Sequence, residues 1–125
     1  KEVLKASRDY MLVYETQKEI ESININRHFF DQINLDCAGV IVTAKGESKD
    51  FVSRFFTPQA TILEDPVTGS AHCTLIPFWS SRLGKKELQA EQVSSRGGNL
   101  ICRDISDRVI IGGQARMFSN GEFVL

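Results

Sequence analysis

The residues best suited to chemistry lie in one short run, DPVTGSAH, from Asp65 to His72. Thr68, Gly69 and Ser70 open the longest helix that the sequence predicts. The first N–H groups of a helix have no partner within it and carry the positive end of its dipole, so they form an anion site. Gly69 allows a ligand close to the backbone, and Ser70 adds a hydroxyl donor. Asp65 supplies a carboxylate that accepts a proton or holds an amino or hydroxyl group of a ligand.

The same residues also have a structural interpretation. Asp, Ser and Thr are preferred helix caps, and taken alone Asp65, Thr68 and Ser70 are more often caps than catalysts. His72, one turn into the helix, could touch a ligand or shuttle a proton, or instead bond a nearby carbonyl. Spacing alone leaves both interpretations open.

The helix that positions this run is predicted from Thr68 to Leu83. Gly84 and the lysine pair after it end the helix, because glycine tolerates the left-handed conformation there and lysines oppose the negative helix end. Apolar residues spread around much of its circumference, which predicts burial on most sides. Pro77 predicts a kink, and Cys73 is expected to be a small buried packing residue.

Strands are predicted for most of the remaining chain, since Val and Ile far outnumber Leu. A single buried helix among many strands predicts a sheet curled around it. Asn26 is followed by apolar residues at helical spacing, which indicates a short second helix. The predicted strands cover residues 10–14, 19–25, 39–44, 51–56, 88–94, 100–105 and 109–118, the third and fourth of them forming a hairpin.

Length and composition limit the class of protein. The 125 residues suffice for one domain, 1–125, whose core needs no disulfide or metal. Fifteen Lys and Arg against 16 Asp and Glu argue against a nucleic-acid or membrane-surface partner. Three cysteines without C-x-x-C spacing predict reduced thiols in a cytoplasmic protein. The chain opens on Lys1 in a stretch that already looks structured, so we expect a segment before it.

Several ordered motifs resemble the PhzF-like phenazine biosynthesis family. They are DFVSRFFTP at 50–58, DPVTGSAH at 65–72, PFW at 77–79, LGK at 83–85 and SRGG at 95–98. The resemblance covers about residues 39–118 and implies an α+β fold like that of diaminopimelate epimerase. In that fold each of two similar domains is a curved, mostly antiparallel sheet, a half-barrel, wrapped around one central buried helix. The active site lies in the cleft where two helix N-termini converge.

The activity that the resemblance implies is a cofactor-independent isomerase or epimerase, without metal, that moves a proton on a small amino-acid-like carboxylate. The resemblance implies that Asp65 helps to bind and orient the substrate, and Asp65 is the catalytic candidate. Gly69 and Ser70 inherit contact with the substrate carboxylate, and Thr68 and His72 are further candidates for substrate binding. Related epimerases have a catalytic Cys where this chain has Thr68, so a two-thiol mechanism is disfavoured.

The family's main acid/base, a glutamate, and its Gly-His loop belong to the amino-terminal domain, and no segment before Asp65 resembles either. We therefore expect the chain to be the carboxy-terminal half of a two-domain enzyme, inactive without its amino-terminal domain. A homodimer is a further expected assembly.

The rival hypothesis is a non-catalytic module that binds a small acid or phosphate at residues 68–70, or that serves dimerisation. A Walker phosphate loop is absent. His28 with Cys37 or Cys102 lacks metal-ligand spacing. Arg54 is more readily interpreted as a partner in a structural salt bridge than as a substrate contact. The Arg96 to Gly98 motif is better interpreted as a turn than as an RNA-binding element.

Overall fold

The computed structural model describes residues 1–33 and 39–123. Within them the chain forms strands and helices in the following order: β1 Glu2–Lys5, β2 Asp9–Val13, α1 Gln17–Glu21, α2 Arg27–Phe30, β3 Gly39–Lys45, β4 Phe51–Phe56, β5 Glu64–Asp65, α3 Gly69–Leu83, β6 Glu87–Gln92, β7 Gly98–Asp104 and β8 Val109–Gly112.

All of these strands belong to one mixed sheet, with the order β1-β2-β3-β4-β6-β7-β8 and β5 beside β4. The β2–β3 and β4–β6 pairs are parallel, and the other pairs are antiparallel. A parallel pair needs a long crossover. One crossover contains α1 and α2, and the other contains α3. The structure therefore confirms a mixed α and β fold in which antiparallel pairing predominates.

Each face of the sheet has its own apolar core because side chains alternate along a strand. On β3, Ile41 faces the core packed by α3, whereas Val40 and Val42 face the core packed by α1. This two-sided burial explains the uninterrupted apolar run that predicted β3. The predicted hairpin of β3 with β4 is confirmed by their antiparallel pairing.

Helix α3 packs against β6, β7 and β8, and its Trp79 also contacts Thr43 of β3 and Phe51 of β4. The buried residues recur every three or four positions: Ala71, His72, Leu75, Ile76, Trp79 and Ser80. The prediction of burial on most sides is wrong, and so is that of a buried Cys73, which is exposed. Pro77 lies inside the helix without ending it, and Gly84 ends it in the predicted left-handed conformation, with φ of 66°.

Two strand predictions are also wrong. The alternating stretch at 19–25 is not a strand, because a capping box between Thr16 and Glu19 starts α1 there. The last predicted strand stops at Gly112 instead of residue 118, since a glycine pair favours the strand conformation weakly. The short helix after Asn26 is confirmed as α2.

Candidate active site at the start of helix α3

Asp65 ends the two-residue strand β5, where it pairs with Phe55 of β4. The chain then leaves the sheet at Pro66 and enters α3 after Thr68. The Thr68 hydroxyl donates a hydrogen bond to Asp65 Oδ2 at 2.6 Å instead of capping the first turn of the helix. The structure thus brings Asp65 to the start of α3, and the Thr68 hydroxyl orients its carboxylate.

Gly69 and Ser70 are exposed, so the first two residues of α3 face solvent, whereas Ala71 and His72 of the same turn are buried. Gly69 borders a surface depression of about 640 Å³ that Arg96, Asn99 and Gln114 also line. A small anion can therefore reach the N–H groups of this turn, which have the polarity to hold a carboxylate.

His72 is fully buried, and its Nδ1 lies 2.8 Å from the Thr68 carbonyl oxygen. A carbonyl only accepts, so Nδ1 carries a proton, and in the neutral ring Nε2 is the unprotonated nitrogen. The interpretation in which His72 bonds a nearby carbonyl is confirmed. Burial lowers the pKa of His72 because it disfavours the charged imidazolium. From this position His72 supports the first turn, and its predicted contact with a ligand stays a prediction.

The lowered pKa of His72 predicts a pH-dependent stability. Below its ordinary value of 6.5 the unfolded chain takes up a proton that the folded chain refuses. The free energy of unfolding should therefore fall with decreasing pH, by up to about 1.4 kcal/mol per pH unit. His72→Asn keeps a donor for the Thr68 carbonyl and removes this titration. Urea unfolding between about pH 7 and about pH 5 should show that the free energy of unfolding falls more steeply with decreasing pH for the wild type than for His72→Asn.

The matched control is the same substitution at exposed His28, which removes one imidazole from the surface. Parallel pH dependences for the wild type and His72→Asn would contradict the assignment of this effect to His72.

Gln92 is a site residue that sequence reasoning missed. It ends β6 on the same buried face as Leu88 and Ala90 and is fully buried. Its Oε1 accepts from the Thr68 N–H at 2.8 Å, and its Nε2 donates to the Asp65 carbonyl at 2.6 Å and to Thr68 Oγ1 at 3.2 Å. The available signal was a polar residue at a buried position of a predicted strand.

The turn between β6 and β7 packs onto the segment between Asp65 and Thr68. Ser94 Oγ donates to the Pro66 carbonyl at 2.8 Å. Gly98 lies so close to Val67 that a Cβ would approach Val67 Cγ2 to 2.3 Å, which only glycine avoids. The SRGG motif therefore acts as a closely packed turn, as predicted.

Arg54 and the cysteines considered as metal ligands were the remaining candidates from the sequence. Arg54 forms a two-pronged ion pair with Glu64, at 2.7 and 2.9 Å, and donates to the Ile20 and Ile23 carbonyls. This confirms the structural salt bridge. Cys102 is buried, which raises the pKa of its thiol to about 11. Cys37 lies outside the described residues.

Within residues 1–33 and 39–123, no group of three or more His, Cys, Asp or Glu side chains could hold a metal ion. Over the same ranges, no helix has the length and apolar character needed to cross a membrane.

Known proteins are similar to this chain in both sequence and fold. The sequence pattern of the PhzC-PhzF family, described as phenazine biosynthesis-like protein, matches residues 3–121. An uncharacterized isomerase of Pseudomonas aeruginosa is 44% identical over 124 residues, which are 99% of this chain and 47% of that protein. A phenazine biosynthesis-like domain-containing protein of Bos taurus is 43% identical over 111 residues, 82% of this chain and 38% of that protein.

A crystal structure of a phenazine biosynthesis protein of the PhzF family from Enterococcus faecalis superposes with a TM-score of 0.84 at 47% identity. The match covers 95% of this chain and 45% of that one. The chain thus spans about half the length of the relatives it matches.

Proposed function

Because the chain belongs to the phenazine biosynthesis-like PhzC-PhzF family, we propose that it is one domain of an isomerase that moves a proton on a small amino-acid-like carboxylate. The observation that carries the proposal is the Asp65 carboxylate, which the Thr68 hydroxyl orients at 2.6 Å beside an exposed helix N-terminus. This arrangement puts an anion site next to a proton acceptor.

The chemistry follows from this pairing. Backbone N–H groups of the first turn of α3, with Gly69 and the Ser70 hydroxyl, hold the substrate carboxylate. They also stabilise negative charge as a C–H proton leaves. Asp65 accepts a proton or orients the substrate amino group. Thr68 and His72 contribute from the buried side by holding Asp65 and the first turn in place. No step requires a cofactor or a metal.

The proposal includes a second domain that completes the site. Its support is the length of the relatives, of which the chain covers about half, and a set of exposed apolar side chains near residue 120. Met117, Phe118 and Phe123, in the segment after β8, are 86, 100 and 96% exposed, so their apolar side chains are free to pack against another domain. In this proposal the chain is the carboxy-terminal half, its sheet and α3 form one half-barrel unit, and the family's glutamate lies in the other half.

The test is proton exchange by the full-length parent protein in heavy water, with a panel of amino-acid-like carboxylates followed by NMR. We expect deuterium incorporation at the carbon next to the carboxylate, and none with the 125-residue chain alone. Binding of these acids to the full-length protein without exchange or isomerisation would favour the rival non-catalytic module, which uses the same exposed first turn.

A further inference from the structure

The side-chain amide of Gln92 has one allowed orientation. The Thr68 N–H points at one of its two terminal atoms at 2.8 Å, and that atom must be the oxygen, because an NH₂ group there would set donor against donor. The NH₂ group then faces the Asp65 carbonyl and the Thr68 hydroxyl, at 2.6 and 3.2 Å. Both N–H groups and the carbonyl of this buried amide therefore form hydrogen bonds to the short segment from Asp65 to Thr68.

A directed series of hydrogen bonds follows from this orientation. Thr68 Oγ1 accepts from Gln92 Nε2, so its own proton is free to be donated to Asp65 Oδ2, at 2.6 Å. A hydroxyl that accepts one bond becomes a stronger donor in the next. The series thus begins at a buried amide and ends at the carboxylate.

The two ends of this series differ in how firmly they are held. Gln92 lies in β6 between two paired strands, with Ser53 of β4 on one side and Gly98 of β7 on the other. Asp65 lies in a strand of two residues that pairs with β4 alone. The position of Asp65 therefore depends on side-chain bonds from a firmer element.

We infer that Gln92 is a positioning residue, which acts through the Thr68 hydroxyl to aim the Asp65 carboxylate. The catalytic meaning of this inference rests on the proposed function. Its geometric content does not, because it concerns only where Asp65 and Thr68 lie.

The kinetic test uses Gln92→Met in the full-length protein, which keeps the length of the side chain and removes its polar atoms. We expect kcat to fall roughly 10- to 100-fold, since misplacing a reacting group by about 1 Å has an effect of this size. KM should change by less than about threefold, because the N–H groups that hold the substrate carboxylate remain. Gln89→Met is the matched control, on the exposed face of the same strand, and should leave both constants unchanged.

A second set of variants separates positioning from a loss of stability. In an Asp65→Asn background, Gln92→Met should lower the remaining rate by less than about threefold, because there is no carboxylate left to aim. Equal effects in both backgrounds, or an unchanged kcat with a lower melting temperature, overturn the inference. Thr68→Ser should retain the rate and Thr68→Val should lose it, because only serine keeps the hydroxyl through which Gln92 acts. A Thr68→Val variant with the wild-type rate overturns the inference even if Gln92→Met does not fold.

The crystal structure of Gln92→Met keeps this test independent of the proposed function. If the wild-type protein shows no exchange activity, the proposed isomerase function is refuted, but the position of the Asp65 carboxylate can still be compared between wild type and variant. If Asp65 Oδ2 then stays 2.6 Å from Thr68 Oγ1 in the variant, the inference is overturned. Displacement of the carboxylate supports it.

Discussion

Asp65→Asn in the full-length protein is expected to lower kcat roughly 10²- to 10⁴-fold, the usual contribution of a positioned general acid or base. Asparagine has the same size and still offers an oxygen to the Thr68 hydroxyl, so the 2.6 Å contact is retained. What the variant loses is the capacity to take up a proton. Deuterium exchange and isomerisation rates measure this loss, with the melting temperature as a check on folding.

Asp107→Asn is the matched control for this substitution. Asp107 is exposed in the turn between β7 and β8, beyond the end of β7 opposite to Gly98, so its amide variant should keep the wild-type rate. Full turnover by Asp65→Asn would remove the catalytic assignment and leave Asp65 with a structural role at the end of β5.

Phe51→Ala is expected to lower the free energy of unfolding by about 3–5 kcal/mol, the range for truncating a buried aromatic residue. Phe51 is fully buried at the start of β4 and joins the sheet to α3. Its ring stacks on Trp79, with centroids 5.8 Å apart and planes 4° apart, and lies 5.9 Å from the ring of His72. Urea unfolding of the two proteins measures the difference.

Phe29→Ala controls for the loss of an aromatic ring as such. Phe29 is 65% exposed on α2, and surface truncations of this kind change stability by about 0.5 kcal/mol. If Phe51→Ala cost no more than Phe29→Ala, the stacked pair with Trp79 would not be the contact that holds α3 to the sheet.

Much of the local structure was predictable because its causes lie within a few residues. The apolar run of β3, the end of α3 at Gly84 and the short helix after Asn26 were all identified correctly. The wrong prediction at 19–25 also has a local cause. The alternating apolar residues there indicate a strand, whereas the capping box between Thr16 and Glu19 starts a helix. The family resemblance, carried by ordered motifs, is confirmed by the match over residues 3–121.

The candidate site was predictable in part for the same reason. Asp65 and Thr68 are three residues apart, so a turn that opens a helix is enough to bring them together. Gln92 is 24 residues from Thr68, and only the pairing of β6 beside β4 brings it there. Spacing alone could not separate capping from function at Thr68, since its hydroxyl oxygen could accept from a helix N–H and its proton could be donated to Asp65.

The sequence by itself determined where α3 begins and ends and that β3 and β4 form a hairpin, and it predicts an anion site at Gly69. These features depend on backbone preferences and caps that act within about one helical turn. Only the tertiary structure decided which face of α3 is buried, why Cys73 is exposed, and that Gln92 holds the Asp65 segment. Burial and hydrogen-bond partners depend on which elements pack together, and packing joins residues that are distant in the chain.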